Sequence, residues 1–185
     1  GIKTIEYQAF ASAYWSVEDI EFCWSNYGEL ETKFEAFISL DPNTFICNRD
    51  YNKWGEGESR RLFKNCPTTV KVGQYVRTIS ASSFIYGSVS SLDLSQANDL
   101  TIKENAFHGC KIQNLVISSG VKSIGNYAFK DAIKGALTIE ESTTPIEIGI
   151  DAFKDLTTAN VYRAYSGYID CKAMILGANV TSVGR

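Results

Sequence analysis

The chain has 185 residues, 44% of them hydrophobic, and a formal net charge of -3. That is enough apolar content to bury a substantial core in one domain, or two at most. A weakly negative chain without a block of like charges has no field to recruit nucleic acid or an anionic membrane. No run approaches the roughly eighteen apolar residues of a membrane span, so no membrane insertion within this chain is expected. The five cysteines, Cys23, Cys47, Cys66, Cys110 and Cys171, are odd in number and lack a CxxC pair. They make a poor disulfide framework and a poor zinc site. Cys66 and Cys110 each follow a phenylalanine by three residues and are expected to be buried thiols, because cysteine packs as a small hydrophobe.

From the start of the chain, Ile2 to Phe10 (IKTIEYQAF) aligns with Val121 to Phe129 (VKSIGNYAF), so the chain opens halfway through a repeat. The IEF of Ile20 to Phe22 is the next expected strand. Phe37 with Phe45 and Cys47, and Phe63 with Val70 and Val72, keep the same phase at wider intervals. Residues 1–66 are accordingly read as irregular N-terminal repeats or a cap of the same solenoid. A separate cap, with a helix over Tyr27 to Phe37, is the alternative.

Residues 67–163 carry the regular repeats. Val70 to Phe84 (VKVGQYVRTISASSF) falls on Leu115 to Phe129 (LVISSGVKSIGNYAF) without a gap, and Phe84, Phe107, Phe129 and Phe153 are separated by 23, 22 and 24 residues. Each phenylalanine is followed eight and ten residues later by a short apolar alternation, at Leu92 and Leu94, Leu115 and Ile117, and Leu137 and Ile139, until Arg163 after Val161 breaks the pattern. Period-two alternation marks a strand with one buried face. One short strand cannot bury that face alone, so stacked turns must supply its neighbours. The strands are expected to form one parallel sheet, with the Ala-Phe halves as short helical or irregular turns on the opposite wall. Met174 to Gly184 (MILGANVTSVG) fits Leu115 to Gly125, which makes 164–185 a C-terminal repeat or cap. A start and stop at nearly the same phase suggest a segment of a longer array.

These anchors resemble the repeat of the BspA-like branch of leucine-rich repeat proteins. The resemblance implies an α/β repeat solenoid, a leucine-rich repeat with a parallel sheet of short strands and an irregular or short helical wall opposite. It also implies an extracellular or cell-surface protein, since members are chiefly bacterial surface and secreted proteins, some from parasitic protists, that act as adhesins. The partner so implied is a host or microbial surface or matrix protein. No ligand residue is carried over.

Chemistry is sparse. The single histidine, His108, lies near Cys110, but the repeat turns Phe107 and Cys110 inward and residue 108 outward, which separates a base from its nucleophile. No zinc-protease, serine-hydrolase, phosphate-loop or dinucleotide motif occurs. Glu56 with Glu58 and Glu140 with Glu141 read as surface carboxylates. No catalytic residue, metal or cofactor is expected, and the chain is read as a non-enzyme. Asn179-Val180-Thr181 is a sequon, with meaning only in a secretory eukaryotic cell.

A binding surface is easier to place. With Leu92 and Leu94 inward, Ser91, Asp93 and Ser95 face out, as do Thr69, Lys71 and Gly73, then Asn114, Val116 and Ser118, then Ala136, Thr138 and Glu140, then Asn160 and Tyr162. The candidate sheet-face residues are Lys71, Asp93, Val116, Thr138 and Tyr162, with Tyr162 as the aromatic anchor. An alternative site rests on Trp15, Trp24 and Trp54, grouped in the N-terminal third with several tyrosines as a platform for a glycan or protein. Protein-protein interaction or adhesion is the first functional expectation. A carbohydrate-binding accessory and a structural spacer of a larger surface protein are the alternatives.

Overall fold

The structure is a computed structural model, described here for residues 4–5, 19–22, 31–32, 43–47, 67–155 and 180–183. The strands among these residues, in chain order, are β1 (Thr4–Ile5), β2 (Asp19–Phe22), β3 (Glu31–Thr32), β4 (Thr44–Cys47), β5 (Thr69–Val72), β6 (Thr78–Ile79) and β7 (Ser91–Asp93). They continue with β8 (Leu100–Ile102), β9 (Leu115–Ile117), β10 (Val121–Ile124), β11 (Leu137–Ile139), β12 (Ile146–Ile148) and β13 (Val180–Val183).

Every pairing is parallel, and each strand pairs with one from a neighbouring turn, as a solenoid requires. The first sheet runs β2-β4-β5-β7, and the separate pair β9-β11 lies next to it, with β9 beside β7. Beside the β7 to β9 step, the Gln113 N–H donates to the Ser90 carbonyl at 3.0 Å and the Ser118 hydroxyl donates to the Leu94 carbonyl at 2.7 Å. The second sheet runs β6-β8-β10-β12-β13. Each turn thus contributes a strand to the first sheet, rounds a corner, contributes a strand to the second, and returns through the segment containing its Ala-Phe pair.

The core is continuous. Phe45, Val70, Leu92, Leu115 and Leu137 face inward from the first sheet, and Ile79, Ile102, Ile124 and Ile148 from the second. Between the sheets the phenylalanines form a ladder. Phe84 on Phe107, Phe107 on Phe129 and Phe129 on Phe153 stack at centroid distances of 5.1, 5.2 and 5.6 Å, with interplanar angles of 11°, 2° and 3°. Ring pairs in this range add about 0.5–1.5 kcal/mol each beyond the area they bury.

The phenylalanine segments look irregular but account for their backbone. Around Phe107, alternate N–H groups donate to the next turn: Asn105 to the Asn126 carbonyl, Phe107 to Ala128 and Gly109 to Lys130, at 2.8–3.0 Å. The intervening N–H groups of Ala106, His108 and Cys110 turn back to the carbonyls three residues earlier. The same alternation recurs around Phe129. It satisfies groups that would be costly to bury unpaired. It also requires left-handed backbone two residues before and two after each phenylalanine, at Ser82 and Tyr86, Asn105 and Gly109, Tyr127 and Asp131, and Asp151 and Asp155. Asn, Asp and Gly tolerate that conformation best.

Three expectations need correction. The described strands form two parallel stacks where one sheet was expected; of the two forms expected for the Ala-Phe wall, the irregular one is found, hydrogen-bonded turns with no helix among the described residues. The helix proposed over Tyr27 to Phe37 is not formed at Glu31–Thr32, which pairs in parallel with Thr4–Ile5. Ser118 does not face outward: it is 5% exposed, because its hydroxyl satisfies the Leu94 carbonyl as the chain leaves β9. Other expectations hold. Asp19–Phe22 is a strand, and Val180, which aligns with Val121, pairs beside β12 as Val121 pairs beside β8.

Candidate interaction surface

Outward positions of the first sheet fall into register. The pairings Glu21↔Ile46, Ile46↔Lys71 and Lys71↔Asp93 make one column across β2, β4, β5 and β7, and Val116↔Thr138 continues it across β9 and β11. Neighbouring strands lie about 4.8 Å apart, so successive side chains stand close enough to meet one partner together. Four of the residues singled out from sequence, Lys71, Asp93, Val116 and Thr138, are brought together here. Tyr162 lies outside the described residues, as do Trp15, Trp24 and Trp54.

The column mixes charge with apolar surface. Glu21, Lys71 and Asp93 are exposed, Ile46 and Thr138 are half-buried, and Val116 is 44% exposed. Asp93 is held in place. Its Oδ1 accepts the Ser95 N–H at 2.9 Å, and this bond, helped by the Ser95 hydroxyl and the Lys71 charge, keeps its carboxyl below the usual range. Asn114, expected as an outward polar residue, uses its side-chain oxygen to accept the Ala136 N–H at 2.9 Å, tying two turns together. Its amide is structural. Sequence reasoning missed Glu21 and Ile46, although Phe45 and Cys47 had already been assigned inward and an alternating strand must send Ile46 out.

At the corner between the sheets, residues 118–120 form a short turn flanked by the longer 95–99 and 140–145. The difference leaves a notch of about 960 Å3 of mixed polarity, lined by Asp99, Val121, Lys122, Glu141, Pro145 and Glu147 among others. Lys122 Nζ lies 3.5 Å from Asp99 Oδ1, and both groups are exposed. Gly120 lets this corner close: a Cβ there would stand 1.8 Å from the Ala97 carbonyl oxygen.

His108 and Cys110 have separate surroundings. Cys110 is buried and its thiol donates to the Phe84 carbonyl at 3.1 Å, whereas His108 Nδ1 lies 3.2 Å from Asn105 Oδ1. Burial, then the Lys130 charge, lowers the His108 pKa. Glu140 accepts the Ser119 N–H through Oε2 at 3.2 Å. Among the described residues, no group of three or more His, Cys, Asp or Glu is placed to hold a metal ion, and no helix is long and apolar enough to cross a membrane. Glu56 and Glu58 lie outside the described residues.

Residues 59–167 match the family model described as BspA type leucine rich repeat region (6 copies). No match was found among curated proteins or solved structures.

Proposed function

Because the chain belongs to the BspA type leucine-rich repeat family, we propose that it is a non-catalytic protein-interaction module, binding through the outward column of the first sheet. The observation that carries this reading is the register that aligns Lys71 with Asp93 and Val116 with Thr138 on parallel strands. Those side chains alternate with the buried anchors. They can change without disturbing the core.

A flat array with opposite charges near an exposed valine suits a folded protein surface better than a small molecule, which prefers a concave pocket. The family role extends this to adhesion, with the module displayed on a cell surface or secreted and its partner a host or microbial surface or matrix protein. The test is a binding screen of the full chain against purified matrix and cell-surface proteins. A hit abolished by combined Lys71→Glu, Asp93→Lys and Val116→Lys substitutions, with the fold intact, supports the reading. A hit insensitive to all three contradicts it.

A further inference from the structure

The residue two after the stacked phenylalanine is left-handed in all four described turns, and it is Tyr86, Gly109, Asp131 and Asp155 in succession. Three of these are types that take the conformation readily. Tyr86 does so at φ 54° against the resistance of its own Cβ. Its ring does not compensate by filling the core: at 62% exposure, Tyr86 is the most exposed large hydrophobic side chain among the described residues. Tyr127 shares the left-handed backbone but is half-buried; the same backbone with an exposed ring, as at Tyr86, motivates a functional reading.

The surroundings fix that ring. Its atoms lie over Gly109, where any Cβ would stand 2.4 Å from Tyr86 Cδ1, and its centroid is 5.0 Å from that of His108 at an interplanar angle of 48°. His108 is steadied in turn by Asn105. The result is a two-ring surface with polar edges, presented by neighbouring turns.

Size and chemistry select the occupant. The next positions in the column are Gly109 and Asp131, so the aromatic area ends within about one ring, far below the roughly 800 Å2 per partner of a protein interface. The charges around His108 are mixed, Lys130 against Asp131 and Asp155, so the patch has no single-signed field to select a charged side chain. Burial and Lys130 outweigh Asp131 and Asp155 and favour the neutral imidazole, which both donates and accepts hydrogen bonds. A ligand with a C–H face and hydroxyl edges satisfies the flat rings and their polar rim together. We propose that Tyr86 and His108 form a shallow stacking subsite for one pyranose residue of a glycan, separate from the column on the first sheet.

The test is an NMR titration of the full chain with methyl pyranosides of glucose, galactose, mannose and N-acetylglucosamine, following aromatic-ring resonances. Arginine- and proline-containing tripeptides serve as comparison probes. At least one sugar is expected to shift the Tyr86 and His108 rings saturably, leaving the first sheet unchanged. Tyr86→Ala should weaken binding about tenfold, the scale of one lost ring contact. Gly109→Ala should do likewise by displacing a ring that is still present, and Tyr86→Phe should retain the stacking. Unchanged phenylalanine-ladder resonances establish folding; if Gly109→Ala unfolds, the Tyr86 pair decides. No saturable sugar shift, a shift that survives Tyr86→Ala, or preferential peptide binding would overturn the proposal. None of these results bears on the column, whose binding is read by different variants.

Discussion

The phenylalanine segments and the first sheet share one period but use it in opposite ways. In the segments almost every position has a fold duty: the ring stacks, the preceding Ser or Ala is buried, two flanking residues are left-handed, and alternate N–H groups link the turns. In the first sheet only alternate positions face the core, and the column between them runs Glu21, Ile46, Lys71, Asp93, then Val116 and Thr138. Repetition therefore fixes inward side chains and backbone and leaves the outward column free to diversify. That division is what an interaction surface on a repeat scaffold requires.

The largest break in this comparison should come from the ladder. Phe107→Ala removes a fully buried ring stacked on both sides and should cost about 3–5 kcal/mol in chemical denaturation. Val116→Ser in the column should change stability by no more than about 0.5 kcal/mol. Similar losses for the two would erase the distinction. A close-packed corner should come next: a Cβ at Gly135 would meet the Gln113 carbonyl oxygen at 1.8 Å and Asn114 Oδ1 at 2.7 Å. Gly135→Ala should destabilise by about 2 kcal/mol, because the nearest atom is backbone and cannot swing aside.

Ser118→Ala sharpens the boundary between scaffold and surface. It lies at the end of the first sheet but donates to Leu94, so its loss should cost about 1 kcal/mol where a truly outward serine would cost almost nothing. The smallest effect concerns pH. With its folded pKa lowered, His108 binds a proton less readily in the folded chain than in the unfolded one. Its contribution is present above the ordinary value of 6.5 and is lost as pH falls through the lowered folded value. Unfolding free energies measured downward from pH 7 should decline there, and His108→Asn should flatten that part of the curve.

Much of the fold was legible because inward anchors recur with their spacing intact. Phe45, Cys47, Val70 and Val72 were placed by phase alone, and all four are buried. The second sheet was harder to read. Val121 and Ile124 stand three apart, a helical interval, yet a register shift between Val121 and Ser123 brings both onto the buried face of one strand. The clearer signal was in the alternating LTI of β8 and IEI of β12. Ser118 and Asn114 escaped for a different reason: alternation gives the direction of a side chain but not the partner its polar atoms find in the next turn. Tyr86 carried no pattern at all. Its distinction lies in the exposure of its ring on a left-handed backbone that the half-buried Tyr127 shares.

Whether the column binds a protein is read most directly by quantitative binding of the full chain to a matrix or cell-surface protein identified in the screen. The comparison sets wild type beside the Lys71→Glu, Asp93→Lys, Val116→Lys triple variant and a Tyr86→Ala control, all with matched thermal unfolding. Binding should be lost in the triple variant and kept in the Tyr86→Ala control. Undiminished binding by the triple variant would contradict the assignment of the first sheet as the interaction face.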